Sequence, residues 1–192
     1  MGEAIVKQHR HVEIEYQFKE SLGDKNLTDP LWKMPDKGVF TEDFLNDLSE
    51  QRCDLVVHSW KDLPVEDNPR TEIAATVERE DVRDLLLFKK GSREKLGQGS
   101  SLHILSSSPR RMYNLPEFLR QYLPATTGHI QFHPVRGNIP TRMRKLLSQP
   151  EVDGLVLAKA GLDRLLGADR LPQRAEFAEV RNFLRSALRE CD

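Results

Sequence analysis

The segment DGLVLAKAGLDRLL, Asp153–Leu166, reads as an apolar strand that runs directly into a helix. Working outward, IPTRMRKLLSQ before it reads as a helix, IQFHPV as a strand, PRRMYNLPEFLRQYL as a helix opened by proline in its first turn, and LHILSSS as a strand. Further toward the N-terminus, KKGSREKLGQGSS is polar and glycine-bearing, the composition of a junction, so a first unit is expected to end near Ser100. Within that unit DLLLF, DLVVHS and HVEIEYQF read as strands. TEDFLNDLSE reads as a helix capped by Thr41, with acids in its first turn. Strand and helix alternate along both units, which predicts α/β layers with a largely parallel sheet.

Composition limits what such a protein does. The chain has 192 residues, 38% of them apolar, with 29 Lys+Arg against 30 Asp+Glu, a net charge of −1. That balance argues against a general nucleic-acid binder, and the aromatics among the basic residues, Tyr113 and Phe118, are too few for a stacking platform. Cys53 and Cys191 stand far apart and outside any CxxC pair, so no metal site or disulfide framework is signalled. No apolar run approaches the roughly 18 residues that span a bilayer, and MGEAIVKQHR lacks the apolar core of a signal peptide; a cytoplasmic location is expected.

Ligands of open α/β sheets collect beyond the carboxyl ends of the strands. Three such places carry polar residues. DLVVHSWKDLP ends an apolar run in Ser59, Lys61 and Asp62. LSSSPRR sets Ser106, Ser107 and Ser108 before Arg110 and Arg111 at a helix start, which joins hydroxyls, backbone N–H groups and a positive dipole end. FHPVRGNIPTRMRKL closes a strand with Arg136 and Gly137 and opens the next helix near Arg142. From Ser106 to Leu146 the charged residues are Arg110, Arg111, Arg120, Arg136, Arg142, Arg144 and Lys145 against Glu117 alone. Guanidinium groups grip carboxylates and phosphates in pairs of hydrogen bonds, so this lobe suits a ligand with many such groups.

Plainer readings stand beside these. Arg120, Arg144 and Lys145 serve equally well to keep helices soluble. Asp62 before Pro64 suits a turn, His58 a structural hydrogen bond, and Ser59 lacks a nucleophile elbow. The residues alone lead to an α/β protein with one carboxylate and several arginines in an interdomain cleft. They leave open a catalyst, or a non-catalytic module that holds an anionic ligand.

The same segments resemble hydroxymethylbilane synthase, also called porphobilinogen deaminase. DLVVHSWKDLPVE resembles the family's DIAVHSxKDxP, REDVRD its REDPRD, SSSPRR its TSSxRR, VRGNIPTRMRKL its RGNxxTRLxKL, and DGLVLAKAGLDRL its DAxxLAxAGLxRL. DKGVFTEDF resembles its GKGLFxKEL, and all six follow the family's order. The resemblance implies two ligand-binding α/β domains like those of periplasmic binding proteins, with mostly parallel sheets and a cleft between them, plus a smaller third domain. It implies a transferase of porphyrin and haem biosynthesis that condenses four porphobilinogens, with loss of ammonia, onto a dipyrromethane cofactor.

Carried over position by position, Asp62 is the carboxylate that stabilises the cation formed when ammonia leaves. Arg110, Arg111, Arg136 and Arg142 hold the acetates and propionates of porphobilinogen and of linear polypyrrole carboxylates. Ser59, Lys61, Ser106 and Ser108 touch the dipyrromethane. No metal, nucleic acid or membrane partner is implied. On this comparison residues 1–100 are the first domain, incomplete at its N-terminus and completed by part of 171–192; residues 101–170 are the second; residues 171–192 return toward the first and begin the third. The family's opening GTRxSxLAxxQ segment and its cysteine-bearing loop have no match, so the isolated chain is expected to lack turnover and either to be marginal as a monomer or to self-associate through its first domain.

Overall fold

The computed structural model describes residues 1–19, 41–64, 66, 68–96, 98–125, 128–167 and 175–192. The chain divides into two compact units, Met1–Glu78 and Arg79–Asp192. Residues 36–40 of the DKGVFTEDF segment lie outside the described residues.

In the first unit the described residues form helix α1 (Gly2–Gln8), helix α2 (Glu42–Ser49) and a single 3-10 turn at Trp60–Asp62. Helix α2 starts where the sequence places it, after Thr41 and with Glu42 and Asp43 in its first turn. The Thr41 side chain makes no capping hydrogen bond; its carbonyl instead accepts the N–H groups of Phe44 and Leu45 at 3.1 and 2.9 Å.

The segments HVEIEYQF and DLVVHS, expected as strands, carry no ladder. A strand is stable only when a neighbour takes its N–H and C=O groups. Among the described residues of this unit no segment does so. Leu55 and Val57 are accordingly 55% and 63% exposed, not buried as an interior strand would be.

The second unit holds a four-stranded sheet: β1 (Asp84–Phe88), β2 (Leu102–Leu105), β3 (Ile130–His133) and β4 (Gly154–Ala158), in the order β1-β4-β2-β3. Strands β4, β2 and β3 run parallel, as crossovers through helices require. The crossover helices are α3 (Pro109–Tyr122) and α4 (Ile139–Ser148), and β4 is followed by α5 (Lys159–Leu166) and α6 (Ala175–Arg189). The sheet is mixed because β1 lies antiparallel on β4, in register from Asp84 opposite Ala158 to Phe88 opposite Gly154. DLLLF, expected in the first unit, thus belongs to the second unit's sheet, and the division falls ahead of it rather than at the polar stretch near Ser100.

The continuous apolar run of β4 follows from its central place. Leu155 and Leu157 face a core shared with Met143 and Leu146 of α4, Leu162 of α5, and Leu184 and Ala187 of α6. Val156 faces the other side with Ile104 and Leu119. A strand covered on both faces has no position that favours a polar side chain. Residues 175–192 also belong to this unit: α6 buries Leu184 and Ala187 there, and Asp192 exchanges backbone hydrogen bonds with Phe88 at 2.7 and 3.0 Å.

Candidate functional site

The carboxyl ends of β2, β3 and β4, and the start of antiparallel β1, meet at one edge of the sheet. Beyond β2, the Ser106 backbone N–H donates to the His133 carbonyl at 2.9 Å and the residue is buried. The Ser107 hydroxyl ties this turn to the end of β3, bonding both the N–H and the carbonyl of Val135 at 2.6 Å. Ser108 is the N-cap of α3 and accepts the Arg111 N–H at 3.4 Å, with Pro109 at the first helical position.

Beyond β3 the chain turns at Gly137, whose φ of +105° favours glycine. A β-carbon there would lie 2.7 Å from the Thr141 methyl. Asn138 then caps α4, accepting from the Thr141 N–H at 3.0 Å and its hydroxyl at 2.8 Å. This tight turn brings Arg142 back over the loop, where its Nε donates to the Gly137 carbonyl at 2.7 Å. Lys145 Nζ donates to the Arg136 carbonyl at 3.2 Å.

Burial, and then the positive charges of Arg111 and Arg136, pull the Arg142 guanidinium below its ordinary pKa. The sequence-predicted Arg111 and Arg136 therefore lie near enough to act on the partly buried Arg142, and the Ser108 hydroxyl accepts the Arg111 N–H. Arg110 lies exposed in the first turn of α3.

In the first unit Ser59 precedes the 3-10 turn that contains Lys61 and Asp62, and its carbonyl accepts the Asp62 N–H at 3.0 Å. Lys61 Nζ lies 3.9 Å from Asp62 Oδ2, with the Asp62 side chain partly exposed. His58 Nδ1 is 3.1 Å from the Ser59 carbonyl, and its ring packs edge-on against Phe44, the structural role open to it from sequence.

Sequence reasoning assigned no site role to Asp84, which binds Arg111 through two hydrogen bonds of 2.9 and 2.5 Å. Nor did it assign one to Asp81, which binds Arg83, or to Lys159 at the end of β4, which pairs with Asp163. The available signal was the charged stretch EREDVR immediately ahead of DLLLF. Among the described residues no cluster of three or more His, Cys, Asp or Glu could hold a metal, and no helix is long and apolar enough to cross a membrane.

These features define an α/β module with a mixed sheet and a guanidinium-rich end. The family model for the porphobilinogen deaminase, dipyrromethane cofactor-binding domain matches residues 2–187, and the chain belongs to that family. It is 39% identical to the porphobilinogen deaminase of Syntrophomonas wolfei over 155 residues, 80% of this chain and 47% of that protein. It is 36% identical to that of Natranaerobius thermophilus over 172 residues, 89% and 52% of the two chains. With that of Alkaliphilus oremlandii it shares 35% identity over 178 residues, 93% and 56%. The chain spans about half the length of the curated relatives it matches.

Proposed function

We propose that this chain is the pyrrole-binding part of a hydroxymethylbilane synthase, the transferase that joins porphobilinogen units into a linear tetrapyrrole with loss of ammonia. The observation that carries the reading is Arg142, a partly buried guanidinium whose charge is disfavoured by burial and by the nearby positive charges of Arg111 and Arg136. Such an arrangement is stable where a polyanion completes it. Each pyrrole of a dipyrromethane bears an acetate and a propionate, so the arginines present fit that cofactor. When bound, it supplies the pyrrole end onto which new units are joined.

In this reading Arg110, Arg111, Arg136 and Arg142 bind and orient carboxylates, and Ser59, Lys61, Ser106 and Ser108 add hydrogen bonds to the cofactor. The Asp62 carboxylate offsets positive charge developing on porphobilinogen as ammonia departs, an electrostatic role of the preorganised kind. Its placement on a short turn, partly exposed beside Lys61, is consistent with access by substrate. Two free thiols, Cys53 and Cys191, suit a reducing cytoplasm. The exposed Leu55 and Val57 suit burial against a second copy.

The test is calorimetric titration of the chain with a synthetic dipyrromethane carrying acetate and propionate side chains, beside the same pyrrole skeleton as its methyl esters. Saturable binding of the acid alone is expected. Equal binding of acid and ester would refute the reading, because it would not depend on guanidinium–carboxylate pairing.

A further inference from the structure

The segment REDVRD, residues 79–84, places two aspartates at the ligand end of the sheet, and each closes on an arginine. Asp81 takes Arg83, whose backbone N–H and Nε lie 3.0 and 2.9 Å from Oδ1 and whose terminal nitrogen lies 2.6 Å from Oδ2. This pair is local and its arginine stands in solvent. Asp84 instead reaches across the fold to Arg111: Nε donates to Oδ2 at 2.9 Å and a terminal nitrogen to Oδ1 at 2.5 Å. The Arg111 side chain is only 16% exposed.

Both ends of this second pair are rigid. Asp84 opens β1 and is held in the ladder opposite Ala158, while Arg111 lies in the capped first turn of α3. A carboxylate bound along the Nε edge fixes the plane of a guanidinium, and leaves the opposite terminal nitrogen to meet another acceptor in one orientation. Arg111 is also one of the two cations whose charge acts on partly buried Arg142. Asp84 thus sits within the arginine group as its fixed anion.

We propose that Asp84 is a positioning residue for Arg111: it clamps the Nε edge of the guanidinium on the start of β1, so that the far edge receives a pyrrole carboxylate in a set direction. The proposal rests on the reading of the arginine group as a pyrrole-carboxylate site. A carboxylate that only shielded charge would weaken every polyanion alike, and its removal would strengthen them alike. A positioning carboxylate acts on shape, so its removal weakens a ligand of defined geometry and spares one that presents carboxylates in every direction.

Asp84→Asn and Asp84→Glu in the full chain separate these cases. By nitrogen-15 NMR the Arg111 Nε–H, assigned through Arg111→Lys, is expected to exchange slowly in wild type and Asp84→Glu and rapidly in Asp84→Asn. By calorimetry, Asp84→Asn is expected to bind the acetate- and propionate-bearing dipyrromethane at least fivefold more weakly. It should bind benzenehexacarboxylate as well as wild type or better, and Asp84→Glu should recover the preference. An Arg111 signal indifferent to Asp84→Asn overturns the proposal, as does a parallel change for both ligands. A wild type that prefers the dipyrromethane, with Asp84→Asn equal to it, overturns the proposal alone. A wild type with no preference overturns the parent reading and the proposal together.

Discussion

Lys95 Nζ lies 2.6 Å from Oδ1 of Asp153, a carboxylate with no exposed surface in the turn that leads into β4. Its other oxygen accepts the His103 backbone N–H at 2.9 Å, so one side chain joins the 3-10 turn at Ser92–Lys95, strand β2 and the start of β4. Removing the buried carboxylate leaves the part-buried His103 N–H without its partner, while Lys95, 42% exposed, turns to water. Asp153→Ala is expected to cost about 2–4 kcal/mol of unfolding free energy, between the loss of a single buried hydrogen bond and that of a buried charge. Urea titration at neutral pH measures it.

The same carboxylate gives a pH dependence. Burial raises its pKa, but the bonds from Lys95, the His103 N–H and Ser92 outweigh burial and hold it below the ordinary carboxylate value. A depressed folded pKa contributes stability that is present above the unfolded value, about 3.9, and is lost as pH falls through the folded one. The stability gap between wild type and Asp153→Asn should therefore narrow below about pH 4. A gap unchanged between pH 7 and pH 3 would contradict the assignment.

Arg142→Leu separates binding from folding. It removes a charge whose burial and like-charged neighbours are unfavourable, at the loss of one bond to the Gly137 carbonyl. Unfolding free energy should change by no more than about 1 kcal/mol, while dipyrromethane binding weakens by about 1.5–3 kcal/mol, the worth of a charge-assisted contact. Calorimetry and urea titration on the same preparation check both halves.

Gly137→Ala tests the turn that carries Arg136 and Arg142 to one place. A side chain at φ +105°, with its β-carbon 2.7 Å from the Thr141 methyl, should cost about 1–3 kcal/mol. Ligand affinity should fall with it, since the backbone that orients both arginines must shift. Retention of full affinity in a destabilised variant would show that the turn does not aim them.

Cys191 is poorly suited to act as a nucleophile or covalent anchor. Burial, and then the negative charges of Glu190 and Asp192, push its thiol up, and Sγ donates to the Ala187 carbonyl at 3.5 Å. Since the thiolate is the reactive form, iodoacetamide at pH 8 should label native Cys191 more slowly than free cysteine, and faster once urea opens the unit. Mass spectrometry of the C-terminal peptide gives the rates.

Much of the second unit was legible in the sequence, because its signals are local. The run from Gly154 to Ala158 and the proline and serines at the start of α3 each act within a few residues, and both elements lie where those signals put them. The arginines at the strand ends were legible for the same reason: in a parallel sheet the carboxyl ends share one edge.

The sequence by itself determined the alternation of strands and helices in the second unit, the excess of positive charge beyond its strands, and the family motifs. Whether an apolar run becomes a strand, and which charges meet, was decided by tertiary structure. DLLLF and DLVV are similar as strings, yet the first is a strand because β4 supplies a partner, and the second has no ladder among the described residues. Asp84 and Arg111 lie 27 positions apart, and their bond exists because β1 runs antiparallel, which returns its first residue to the carboxyl edge of β4. Backbone pairing is a property of two segments at once, so neither segment's residues encode it alone.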